Sequence, residues 1–274
     1  MADELVDRPA PPPDLRDQPY EVPRHERIVL APRRHDHCVV VPVLNEGERI
    51  RNQLERMRDL TDVVDIVIAD GGSTDGALEP ELLAKLGVRA LLVKRDAGRL
   101  GAQLRMAFGW ALEEGYEGIV TIDGNGKDGV EAIPQVVAAL DRGDDFVQGS
   151  RFVRGGHHEH TPTSRLLAIR LVHAPVSSLL ARHWYTDTTN GFRGHSRRLL
   201  TDPRMAVFRT VFDRYELLVY LSVRAPRLGY RVEEIPVSRV YPAGEPVPTK
   251  IGKVRGSADL LGVLARQAIH RYDP

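Results

Sequence analysis

Between residues 38 and 150, short β-branched runs alternate with amphipathic stretches, and that alternation restricts the fold more than any other feature. Cys38-Val39-Val40-Val41 is a continuous apolar run of the kind that fills a strand buried on both faces. Comparable runs recur at 63–69, 88–93, 119–122 and 146–147. Between them the spacing predicts helices. The first starts at Glu46 and carries Ile50, Leu54 and Met57 on one stripe; others follow near 79–86, 102–114 and 130–141. This order calls for an α/β domain with a mainly parallel sheet and right-handed crossovers. After residue 150 the rhythm changes. A polar loop holds His157, His158 and His160, and an apolar, arginine-bearing helix spans 164–182. A helix near 214–225, a strand at 230–237, a Pro/Gly-rich stretch at 241–253 and a last amphipathic helix complete the chain. Residues 1–35 contain seven of the 19 prolines and are expected to form a mobile, disordered tail. The expected organisation is that tail, two halves of one domain at 36–155 and 156–253, and a C-terminal helix at 254–274.

Composition narrows the partners. Thirty-eight basic residues balance 38 acidic ones, which argues against nucleic acid as a partner. The single cysteine, Cys38, lies in an apolar run and allows no intrachain disulfide. The N-terminus is acidic and proline-rich with no apolar signal core, and no apolar run reaches the ~18 residues that span a bilayer. The expectation is a cytoplasmic protein, peripheral to a membrane at most.

Four polar turns follow four successive strand runs: 42–46, 70–75, 96–101 and 123–128. Open α/β sheets bind ligands at that edge. Asp123 and Asn125, two residues apart on a Gly-rich turn, suit a hard cation and the phosphates attached to it. Gly71-Gly72-Ser73 offers backbone N–H groups to phosphate, and Asp70 is placed to accept from a base or ribose. The first turn reads Pro42-Val43-Leu44-Asn45-Glu46, with none of the glycines a dinucleotide fold needs, so NAD is disfavoured; a Walker loop is absent too.

Five motifs, in order, resemble the family 2 glycosyltransferases of the GT-A fold over roughly residues 37–250. They are P-x-x-N-E at Pro42, Asn45 and Glu46; the 70–75 loop, with Gly71 in place of a second Asp; and D-x-D at Asp123-Gly124-Asn125, with Asn in place of the second Asp. The last two are Gly149-Ser150-Arg151, and D-x-x-x-G-F-R at Asp187, Gly191, Phe192 and Arg193. Gly155-Gly156 after the G-S-R, together with the D-x-x-x-G-F-R, looks most like the polyprenyl-phosphate (dolichyl-phosphate) mannosyl- and glucosyltransferases. The resemblance implies a UDP- or GDP-sugar donor, inversion at the anomeric carbon, and a divalent metal (Mg²⁺ or Mn²⁺) on Asp123 and Asn125. It makes the first half the nucleotide-sugar half and the second the acceptor half. The expected donor set is Pro42, Asn45, Glu46, Asp70, Gly98, Arg105, Asp123, Gly124 and Asn125.

Where the closest D-x-D-x-Q pattern has Gln, this chain has Lys127, whose ammonium cannot ligate a metal but can neutralise phosphate. Weakened metal dependence follows, with Lys127 sharing the charge; a Lys127 pointing to solvent is the plainer alternative. A polyprenyl phosphate acceptor needs arginines or lysines to grip it, and Arg151, Arg193, Arg239 and Lys250 are the candidates. A soluble small-molecule alcohol needs a base instead, with Asp187 the first choice and Glu216 the second. A silent nucleotide-sugar-binding subunit is the third reading. The histidines at 157–160 are too close along an extended loop to make a tetrahedral zinc site alone. The 164–182 helix suits either a membrane interface or a cover for the sheet.

Overall fold

A computed structural model describes residues 2–6, 9–242 and 255–274. Its elements run β1 (Ala2–Val6), β2 (His25–Val29), β3 (His37–Val43), α1 (Glu48–Met57), β4 (Asp65–Asp70), α2 (Pro80–Lys85), β5 (Val88–Lys94), α3 (Leu100–Glu113) and β6 (Gly118–Thr121). They continue with α4 (Ile133–Asp141), β7 (Phe146–Ser150), β8 (His157–Glu159), α5 (Thr163–Ala168), α6 (Ala174–Ala181), β9 (Arg193–Ser196) and α7 (Arg197–Thr201). The last are α8 (Glu216–Arg227), β10 (Val232–Pro236), β11 (Ser238–Val240) and α9 (Arg255–Ala268).

The main sheet is ordered β1-β2-β5-β4-β3-β6-β9-β7-β10. Its centre, β5-β4-β3-β6, is parallel, as the alternating runs predict. Strand alternation splits the core between the two faces. Cys38 and Val40 join Val67, Leu92 and Ile119 under α3 and α8, while Val39, Val41, Ile66, Ile68 and Val120 face α1, α2 and α4. All four ligand-edge turns therefore leave the sheet at one end. Between β6 and β7 lies β9, antiparallel to both, which carries the second half of the chain into the same sheet. Its sequence, Arg-Gly-His-Ser, has no strand pattern, so nothing local announces it.

The expected N-terminal tail is a correction. Strand β2 pairs antiparallel with β5, and Leu15 is fully buried. The cause lies in α3, which is buried on every side from Gly101 to Leu112 and largely apolar, so its outer surface requires a cover. Tyr20 and Val22 supply it: a Cβ on Gly109 would stand 2.6 Å from the Tyr20 hydroxyl and 3.0 Å from a Val22 methyl. Among the described residues no helix is long and apolar enough to cross a membrane.

Candidate active site

The first two turns clasp each other. Asn45, at φ 51°, donates its N–H to Ser73 Oγ (3.0 Å) and accepts from the Thr74 N–H on Oδ1 (2.8 Å). Gly47 donates to Asp75 (2.8 Å). The helix expected from Glu46 starts later, at Glu48, and the Asn45 side chain is spent on the neighbouring turn. Asp70 folds back on its own turn, accepting from the Ser73 N–H and hydroxyl (2.9 and 2.6 Å). Glu46 accepts from Arg49 (3.2 Å). Behind Asp70, the Gln103 amide donates to the carbonyls of Val43 (2.9 Å) and Ala69 (3.0 Å). A Cβ on Gly71 would stand 3.0 Å from that Gln103 nitrogen, which accounts for the glycine where the family pattern has Asp. The third turn is held from outside: Gly101 donates to the Asp213 carbonyl (3.0 Å), and Gly98, at φ 124°, abuts the Asp213 carboxylate. Lys94 is buried here, with Asp213, Asp96 and Asp70 around it; burial pushes its ammonium below the ordinary range against their pull.

The fourth turn carries Asp123. Gly124 presses on β3, where a Cβ would lie 2.9 Å from the Pro42 carbonyl. Asp123 Oδ2 accepts from Arg239 (3.1 Å) and Asn125 (3.3 Å), and its Oδ1 faces Gly191, where a Cβ would intrude to 2.6 Å. Arg239 also pairs with the fully buried Asp128 (2.5 Å). Burial works against the Arg239 charge, but Asp128 and Asp123 outweigh it and keep the guanidinium firmly charged. Lys127 is buried, not solvent-facing, with Nζ 5.3 Å from the Tyr241 ring centre. Burial, then Arg239, push its pKa down. Arg165 donates to the Tyr241 hydroxyl (3.1 Å). Burial would raise that phenol, yet Arg239 and Arg165 outweigh it and hold it below its ordinary value. Between α1, the 125–127 turn and Tyr241 opens a cavity of about 470 Å³, whose lining includes Arg49, Gln53, Arg56, Lys127 and His160.

The model of the Glycosyl transferase family 2 matches residues 38–215, which takes in every one of these turns. The chain belongs to glycosyl transferase family 2. Polyprenol monophosphomannose synthase of Mycolicibacterium smegmatis is 30% identical over 203 residues, 73% of this chain and 76% of that protein. Undecaprenyl-phosphate mannosyltransferase of Micrococcus luteus is 29% identical over 73% of this chain and 82% of its own. Glucosyl-3-phosphoglycerate synthase of Mycobacterium tuberculosis, solved with Mn²⁺, UDP-glucose and phosphoglyceric acid, superposes with a TM-score of 0.56 at 21% identity, over 85% of this chain and 77% of that one. That likeness gives the fold, GT-A, in a single α/β domain. The protein is thus a nucleotide-sugar-dependent glycosyltransferase.

Within this glycosyltransferase several sequence assignments need correction. Asp187 is fully buried and its carboxylate is committed to Arg151 (2.6 and 3.0 Å) and to the Thr189 N–H and hydroxyl (3.1 Å each). Burial raises its pKa, but Arg151 and these hydrogen bonds outweigh that and hold it below the usual carboxylate range. It is a poor base because its lone pairs are taken. Arg151 is likewise spent, not free for an acceptor phosphate. Arg193 is buried and donates to the carbonyls of Asn190 (3.0 Å), Thr188 (2.9 Å) and Leu218 (2.5 Å), a brace for the 187–193 segment. Arg105 is buried in α3 and donates to the carbonyls of Glu21 and Phe212, so it anchors the N-terminal cover instead of touching a donor. Glu216 is half-buried at the start of α8 and accepts from the Arg214 N–H (2.6 Å). Lys250 lies outside the described residues. His157 and His158 form part of β8, which pairs with β11, and His160 bonds the Tyr241 carbonyl (3.1 Å).

Sequence reasoning passed over Lys94, Gln103, Tyr215, Glu234 and Tyr241, and gave Asp128 no role beyond its place in the 123–128 turn. Glu234 receives the N–H groups of Thr186 (2.8 Å) and Asp187 (3.0 Å), fixing the irregular segment on which Arg151 closes. Asp128 had a local signal, five residues beyond Asp123 on the same turn; Gln103, Glu234 and Tyr241 act through partners 34 or more residues away. Asp123 and Asn125 supply one carboxylate and one amide oxygen, hard donors that fit Mg²⁺ or Mn²⁺. Among the described residues no three His, Cys, Asp or Glu side chains gather into a cage, so such an ion would need most of its ligands from diphosphate and water.

Proposed function

We propose that the protein transfers a hexose, with inversion, from a UDP- or GDP-sugar to a polyprenyl phosphate at the cytoplasmic face of a membrane. The observation that carries this is the commitment of Asp187 to Arg151. An alcohol acceptor needs a base, and the first candidate for one is occupied. A phosphate monoester is already ionised near neutral pH, with a second pKa of about 6, and needs none. Its oxygen attacks the anomeric carbon as the bond to the nucleoside diphosphate breaks. The cavity beside Asn125 supports an anionic acceptor head: Arg49, Arg56, Lys127 and His160 line it, and the buried Gln53 Nε2 has no hydrogen-bond partner among the described residues. The relatives named for polyprenol and undecaprenyl phosphate support the same reading.

The donor is assigned to the crevice of Pro42, Asn45, Glu46, Asp70, Gly98 and Gly124. Asp123 and Asn125 would hold a divalent ion, which when bound offsets charge on the departing diphosphate. Lys127, buried beside that turn, adds a fixed positive charge. Arg239 orients Asp123 and competes for its Oδ2, which supports weakened metal dependence. A second reading, transfer to a soluble acceptor, would draw its base from Glu216, half-buried at the start of α8.

The test is a partition assay with labelled UDP-glucose, UDP-N-acetylglucosamine or GDP-mannose, Mg²⁺ or Mn²⁺, and a short polyprenyl phosphate. Label should enter the organic phase with the native protein and not with Asp123→Ala. Label held in water while nucleotide still binds overturns the lipid acceptor and favours the soluble one.

A further inference from the structure

The chain from α5 through a π turn (Ile169–His173) to α6 is one continuous helical run. Pro175 has no N–H to give, and the helix widens into the π turn just before it. Its inner face is fixed: Ile169, His173, Ala174, Ser177, Ser178 and Ala181 are buried, and α6 packs against α8 and α9. Its outer face is apolar and open. Leu171 is 68% exposed, Leu179 79% and Trp184 75%, with Leu167, Val172 and Val176 beside them. Six of the 12 large apolar side chains exposed among the described residues therefore sit within 18 positions. Scattered exposed leucines are ordinary, but a contiguous set marks a contact surface.

We infer that this face, centred on Leu171, Leu179 and Trp184, seats the protein on the surface of an anionic lipid bilayer. Charge selects that occupant. From Thr161 to Thr186 there is no acidic residue, while Arg165, Arg170 and Arg182 lie along the run, and Arg170 and Arg182 are exposed. An apolar stripe edged by arginines, with a tryptophan at one end, matches the boundary between headgroups and acyl chains. A second copy would bring the same arginines together. The choice of lipid rests in part on the polyprenyl-phosphate reading, which it deepens by setting the enzyme's orientation. Arg165, two residues before Leu167, donates to Tyr241, whose ring lies 5.8 Å from the Arg239 guanidinium, which in turn holds Asp123. The lipid surface is thereby joined to the reacting end of the sheet through three contacts.

Two tryptophans make the test direct, because Trp110 is 1% exposed and Trp184 is the exposed one. The full chain, without donor or acceptor, is mixed with phosphatidylcholine vesicles lacking or containing phosphatidylglycerol. Trp184 emission should shift to the blue on the anionic vesicles, be quenched by brominated acyl chains, and recover as salt is raised. Leu171→Glu with Leu179→Glu should lower vesicle affinity at least tenfold while leaving turnover of a short water-soluble isoprenyl phosphate unchanged. Arg170→Glu with Arg182→Glu, both at exposed positions, is the second variant and should lose the preference for anionic vesicles. No emission change on anionic vesicles overturns the inference. So does a concentration-dependent shift without lipid accompanied by a dimer in sedimentation, which would assign the face to a second copy. Vesicle binding without any transfer to polyprenyl phosphate would leave this inference standing and defeat the acceptor proposal instead.

Discussion

Replacing Asp187 with Asn separates a positioning role from a catalytic one. The change keeps the shape and one acceptor oxygen but removes the counter-charge of Arg151, whose side chain is 2% exposed. Stranding one member of a buried pair costs about 3–5 kcal/mol. Since the amide oxygen still accepts one bond, the lower end, about 3 kcal/mol, is expected. For a chain of this size about 3 kcal/mol corresponds to a fall in Tm of roughly 6–12 °C, readable by calorimetry or dye unfolding. The effect also depends on pH. Asp187 titrates lower when folded than the unfolded value of about 4, so its contribution is full above pH 4 and is lost as pH falls through the folded pKa. Native protein and variant should converge in stability below that point. In the partition assay Asp187→Asn should retain measurable turnover once assayed well below its Tm. An unchanged Tm together with abolished turnover would refute the reasoning and return Asp187 to the role of base.

Three further outcomes are expected. Gly191→Ala would drive a methyl to within 2.6 Å of Asp123 Oδ1, so transfer should fall at least tenfold with donor binding weakened, measured by isothermal titration with the nucleotide sugar. Lys127→Gln removes a fixed charge and adds a neutral oxygen, so the rate without added metal should fall and the half-saturating Mn²⁺ concentration should drop; an unchanged rate and metal requirement would end the idea of charge sharing. Arg105→Ala should cost about 1–3 kcal/mol, by leaving the Glu21 and Phe212 carbonyls without their donor, while the KM for donor stays put.

The parallel centre of the sheet and its four turns were legible because strands buried on both faces write themselves as unbroken β-branched runs, as 38–41 and 65–70 do. Asp123 was legible for the same reason: it stands where such a run stops. The arginines were misread together. A guanidinium at 151, 193 or 105 carries the same letter whether it faces a substrate, a carboxylate or a carbonyl, and the partners Asp187, Leu218 and Phe212 lie 25 to 107 residues away in the chain. The N-terminal segment was misread by composition, since its prolines suggest disorder while the need for it is recorded in α3, whose sequence has no polar face. Strand β9 has neither pattern nor propensity and exists because β6 and β7 offer it two edges.

The pairing of Gly71 with Gln103 has an energetic consequence. A side chain at 71 would press on the Gln103 amide, 3.0 Å from the first added carbon, and oblige it to give by a few tenths of an ångström. Shrinking Gln103 would strip the Val43 and Ala69 carbonyls of their buried donor. A change at either position is therefore felt at the other, so the energetic effects of substitutions at 71 and 103 should not add.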